Sequence, residues 1–215
     1  MDDERCGNYT CGLARQAAAV VIRRGLPDLL CSETWIHSLH TFRNNPSVVG
    51  FLVEQACLSA ISATGFYHGD INWQSFTATT FRGDILNAIG RRSYERFFIP
   101  EDPFKDIDAL YLKVDAEKKT AVVVPIQVTI SKTDKDSEAA FYSRWTDWQI
   151  FFRGYTLTTD FVWIVEDKQS WMVKEEEFKT TREKLKLIFP RHEQVYVTVQ
   201  DIDATLGSVL KSIRW

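Results

Sequence analysis

The segment TAVVVPIQVTI, residues 120–130, constrains this chain more than any other stretch. Its β-branched residues favour extended backbone. It also lacks the apolar–polar alternation of a half-exposed strand, so it must be covered on both faces and predicts an internal strand of a layered sheet. Its polar exceptions, Gln127 and Thr129, lie two residues apart and share one face. A glutamine in the middle of a central strand requires partners.

The preceding segment supplies one. Residues 107–114 (IDALYLKV) read as a strand in which Asp108 alternates with Leu110, Leu112 and Val114. Ala116-Glu117-Lys118-Lys119 joins the two strands. If they pair antiparallel with Asp115 opposite Thr120, Asp108 falls opposite Gln127. Opposed residues have Cβ atoms about 5 Å apart. The chain is therefore expected to set an acid beside an amide, on a face otherwise made of Leu110, Leu112 and Val123. One residue more or less in the loop would undo this. The alternative is a strand-entry Asp satisfied by a loop amide.

A second acid sits among apolar neighbours. Residues 46–64 (PSVVGFLVEQACLSAISAT) predict a helix, with Asn45 as N-cap, Pro46 at the first position and Gly65 just past the end. Glu54 shares a helical face with Phe51, Leu58 and Ile61. A carboxylate on that face must be paired, metal-bound or protonated, or else lie at the edge of the apolar stripe. Together, a helix carboxylate and strand oxygens from Asp108 and Gln127 would suit Mg²⁺ or Mn²⁺, which keep waters and recruit a substrate phosphate. The chemistry expected of such a set is metal-assisted phosphodiester hydrolysis.

The order helix-Glu, strand-Asp, strand-(Glu/Gln)-x-Lys resembles the PD-(D/E)xK restriction-endonuclease-like superfamily. The segments VVGFLVEQACLSAI, FIPEDPFKDIDALYL, VPIQVTISK and DSEAAFYSRWTDW are similar to the nuclease-like domain of Crinkler and retrotransposon-hot-spot effectors, over roughly residues 45–165. The resemblance implies a restriction-endonuclease-like mixed β-sheet flanked by helices. It implies catalytic roles for Glu54, Asp108 and Gln127, and metal ligation by Asp108, Gln127 and the Val128 carbonyl. Thr129 stands where the superfamily has its Lys, and a hydroxyl cannot supply that charge to a developing phosphate anion. Lys132 is the candidate replacement, with Lys135 beside it, although the strand parity of Lys132 is wrong unless the strand ends or bulges first. Family members are often fused to an NTPase module; this chain contains no GxxxxGK[ST].

Charge sets the terms for a nucleic-acid partner. Lys and Arg number 26 against 29 Asp and Glu, a net charge of −3, so phosphate must be held by a local patch. Arg82, Arg91, Arg92 and Arg96 are the candidates, in a stretch that also holds Asp84 and Glu95. The alternative is a solvated face. Arg144 is expected near the site. Glu101, Asp102 and Asp106, ahead of Asp108, would repel phosphate without a metal.

The remaining periodicity predicts an α/β domain. Helices are expected at 11–25 and 32–43, with an N-terminal helical arm (1–44) ahead of, or part of, the main domain (45–215). Strands are expected at 71–80, 94–99, 159–166, about 170–174 and 193–199. A helix at 136–153 is expected to bury Phe141, Trp145, Trp148 and Phe152 on one face, and a last helix spans 203–213. Residues 174–186 read as a solvated charged segment. Cys6, Cys11, Cys31, His37 and His40 match no standard zinc spacing, Cys57 reads as core, and His68 with Asp70 reads as a turn. No GxSxG, HExxH or GxGxxG occurs. No apolar run approaches the length of a membrane span. The start shows no signal-peptide pattern and four Cys fit a reducing compartment. The expected placement is intracellular, including the nucleus, or a host cell entered by a secreted effector.

Two functions follow. One is a metal-dependent nuclease acting on DNA rather than RNA. The other is a catalytically inactive module of the same fold that binds nucleic acid or a host protein.

Overall fold

The structure is a computed structural model and describes residues 33–69, 71–100, 107–130, 137–167 and 190–213. The described elements begin with α1 (Glu33–Thr41), α2 (Pro46–Thr64), β1 (Phe66–His68), β2 (Ile71–Trp73) and β3 (Thr79–Phe81). A 3-10 turn (Ile85–Asn87), β4 (Tyr94–Pro100), β5 (Ala109–Asp115) and β6 (Thr120–Thr129) follow. Then come α3 (Ser137–Ser143), α4 (Trp145–Phe151), β7 (Thr156–Thr159), β8 (Phe161–Val165), β9 (Gln194–Thr198), α5 (Val199–Ile202) and α6 (Ala204–Ile213). The expected elements at 11–25 and 170–174 lie outside the described residues, as do 174–186.

The apolar run is the centre of a seven-stranded mixed sheet. Its order is β3-β4-β5-β6-β8-β9, with β7 also paired to β6. The β4-β5-β6 pairs are antiparallel; the others are parallel. Both faces are covered, as a two-sided apolar strand demands. On one face α1, α2, α5 and α6 pack on Tyr111, Val124, Ile126 and Val128. The β1–β2 hairpin extends this layer, with Trp73 stacked on Tyr111 at 4.8 Å between ring centroids. On the other face α3 and α4 lay Phe141, Trp145 and Trp148, with Phe152 just beyond, over Leu110, Leu112, Val123 and Trp163. The fold class is thus mixed α/β. Trp35 and Leu39 of α1 share the core of residues beyond 45.

The first long helix forms as its caps dictate. The Asn45 side chain accepts from Val48 N–H, Pro46 opens α2, and Gly65 closes it at φ +77°. Three expected elements divide. The helix at 136–153 breaks at Arg144, whose backbone leaves helical geometry and whose guanidinium is drawn to Asp84. The strand at 159–166 becomes β7 and β8, separated at Asp160, and that at 71–80 becomes β2 and β3. The Asp160 break explains how Pro125 sits in a central strand. Ile126 and Val128 direct their backbone toward β5, so Pro125 directs its missing N–H the other way. There the neighbouring chain passes from β7, paired as far as Val123, to β8, paired from Ile126.

Candidate functional site

The β5–β6 register runs from Asp115↔Thr120 to Ala109↔Ile126. At Asp108 the ladder steps by one: the Asp108 N–H donates to the Ile126 carbonyl, already the partner level of Ala109. The acid and the amide still meet. Gln127 Nε2 donates to Asp108 Oδ2 at 2.7 Å, and the Val128 N–H donates to the same oxygen at 2.8 Å. Two N–H donors on one carboxylate oxygen fix its orientation.

This arrangement bears on each expected ligand. Gln127 is buried at 9% exposure and turns its amide nitrogen to Asp108, so it serves the acid as a donor while its Oε1 keeps its acceptor capacity. The Val128 carbonyl lies on the same strand edge as its N–H, toward Asp108. Thr129 is 3% exposed and, two residues on from Gln127, shares its face. Glu54 rides on α2, which packs against Val128, Ile126 and Val124, whereas Gln127 alternates onto the face of Val123. The Glu54 carboxylate accepts from Gln55 Nε2 at 2.8 Å. Glu54 and Gln127 thus lie on opposite faces of the sheet. Among the described residues no three His, Cys, Asp or Glu side chains are grouped to hold a metal ion. Lys132, Lys135, Glu101, Asp102 and Asp106 lie outside the described residues.

The expected basic group divides between the two ends of the sheet. Arg82 follows β3, whose Phe81 is level with Pro100, so it stands at the Asp108 end. Arg91 and Arg92 precede β4, whose Tyr94 is level with Val114, beside the β5–β6 turn. The seven-residue β5 separates these levels by about 20 Å. Arg144 does not reach Asp108; it is paired with Asp84 at 2.5 Å and Asp147 at 3.4 Å.

A second polar cluster joins α3 to β9. His192 Nε2 lies 2.6 Å from Glu138 Oε1, and its Nδ1 lies 2.7 Å from the Pro190 carbonyl. Gln194 Nε2 donates to Glu138 Oε2, and Tyr196 Oη donates to Gln194 Oε1. Burial works against a charged imidazole, but the hydrogen bonds to Glu138 and Pro190 and the nearby carboxylates of Glu138 and Asp160 outweigh it, so the His192 pKa is raised. Glu138 and His192 are 54 residues apart, and no local spacing announces the pair.

No family model, no curated protein and no solved structure matches the chain.

Proposed function

We propose that this chain is a restriction-endonuclease-like module of the Crinkler and retrotransposon-hot-spot kind that binds nucleic acid without cutting it. The observation that carries the reading is the Gln127 amide spent on Asp108. The amide faces the Asp108 carboxylate with its nitrogen rather than with the oxygen that a metal shared between the two would need. Thr129, buried in the place of the superfamily Lys, brings no charge to a scissile phosphate. The retained Asp108 then holds the end of the β5–β6 hairpin together through two N–H donors.

The test is incubation of supercoiled and linear DNA with the protein and Mg²⁺, Mn²⁺ or EDTA, alongside binding of labelled oligonucleotides. The expected result is binding with no strand cleavage under any metal. Metal-dependent cutting that Asp108→Ala abolishes would overturn the reading in favour of a metal-dependent nuclease.

A further inference from the structure

We infer that the nucleic-acid contact is made at the β5–β6 turn end of the sheet, by a cation–aromatic surface remote from Asp108. The inference rests on the binding reading above and assigns it a place. In the sequence, Arg91, Arg92 and Arg96 share their stretch with Asp84 and Glu95. The fold removes both acids. Asp84 is tied to Arg144. Glu95 alternates onto the opposite face of β4 from Arg96 and is paired there with Lys113 at 3.0 Å and with Tyr111 Oη at 2.8 Å.

The cations left behind are joined by two more. Lys119 arrives from the β5–β6 turn and Arg153 from the turn after α4. Arg91, Arg92, Arg96, Lys119 and Arg153 are all exposed, and none has a carboxylate partner among the described residues. Three of them lie on rings that fix their position. The Arg91 guanidinium is 5.1 Å from the Phe151 centroid, Arg96 is 5.7 Å from Tyr94, and Lys119 Nζ is 5.1 Å from Tyr155. Tyr155 Oη donates to the Arg91 carbonyl, which ties two of these cations to one ring. Arg92 and Arg96 both act electrostatically on Tyr94, whose hydroxyl burial pushes up to about 12.

Cations without a carboxylate partner, three of them seated on aromatic rings, on a chain of net charge −3 point to a local polyanion site rather than a general attraction. Guanidinium planes laid on aromatic rings also offer a stacking surface to unpaired bases. An anionic bilayer would need an apolar wedge, and among the described residues the exposed large apolar side chains are Phe42, Tyr67 and Ile150, of which Ile150 alone, on α4 next to Phe151, stands by this surface. The favoured partner is therefore single-stranded nucleic acid, gripped by its phosphates.

The experiment is fluorescence anisotropy of labelled single-stranded and duplex DNA oligonucleotides in EDTA, repeated across a salt series. Arg92→Glu/Arg96→Glu changes two exposed side chains with no ion pair to lose. It is expected to weaken binding at least tenfold and to reduce the salt slope by about 1.4 for a single strand. Lys119→Asn/Arg153→Gln is expected to act in the same direction, and Asp108→Asn is expected to bind like the wild type. Unchanged affinity in both basic-site variants, or loss in Asp108→Asn, would overturn the assignment. Tighter binding to phosphatidylserine vesicles than to DNA at equal salt would overturn it in favour of a membrane. If the wild type cuts DNA with metal while Arg92→Glu/Arg96→Glu loses binding in EDTA, the non-cutting reading falls and this surface stands.

Discussion

Exchanging Gln127 for Glu would convert a donor into a second acid at the one place where Asp108 depends on a donor. Two carboxylates at the 2.7 Å spacing seen here cannot both ionise without a cation between them. Gln127→Glu is expected to lose about 1–3 kcal/mol at pH 7 in EDTA. Millimolar Mg²⁺ or Mn²⁺ should recover the loss at pH 7. Gln127→Leu, which removes the donor and adds no acid, should lose stability without recovery by metal. Thermal melts of both variants at pH 7, in EDTA and with metal, make the measurement; a Gln127→Glu protein as stable as the wild type in EDTA would refute the pairing. The Asp108–Gln127 contact was legible in the sequence because a hairpin register follows from loop length. The Asp84–Arg144 pair, 60 residues apart, was not, because nothing local relates a turn to a distant helix.

Elements with strong periodicity or caps were legible, and short ones were not. The Asn45–Pro46…Gly65 frame marked α2 residue for residue, while the three-residue β1 carries too few positions for a period to register, and the expected strand at 71–80 did not show its division into β2 and β3. The aromatic stripe at 141, 145, 148 and 152 reads as one helix because the break at Arg144 leaves all four side chains on the sheet. Gly65 is where an element boundary becomes testable. Its φ of +77° and ψ of −170° belong to backbone that is nearly glycine's alone. A Cβ there would stand 2.3 Å from the Trp73 carbonyl oxygen, since the β1–β2 hairpin folds straight back over the end of α2. Gly65→Ala is expected to cost about 2–4 kcal/mol, combining backbone strain with an overlap against main chain. Urea denaturation reads this directly; a loss below 0.5 kcal/mol, about the size of an ordinary surface change, would mean that the hairpin does not close on the helix.

At the scale of the whole molecule, the cations without a carboxylate partner gather at the β5–β6 turn end of the sheet, about 20 Å from the level of Asp108, and a buried histidine fastens the far edge. The basic stretch was legible along the chain, but its division between the two ends of the sheet, the arrival of Lys119 and Arg153, and the partners of the histidine were not, because they depend on strand order and on which face each residue takes. The fastening has a definite protonation state. A carbonyl oxygen and an ionised carboxylate only accept, so a His192 ring facing both must donate from both nitrogens and carry a proton on each. The groups around it are Glu138 and the Tyr142 ring from α3, with Asp160 from the β7–β8 link. Its folded pKa lies above the ordinary 6.5, so the stabilisation is full below about pH 6.5 and is lost as pH rises through the folded value. His192→Gln cannot take up this charge. It is expected to lose about 1–3 kcal/mol at pH 6 and progressively less at higher pH. Melting temperatures of wild type and variant should therefore diverge at pH 6 and converge toward pH 9. Curves that stay parallel across that range would show that His192 is held neutral, and that α3 is fastened to β9 through Glu138 and Gln194 alone.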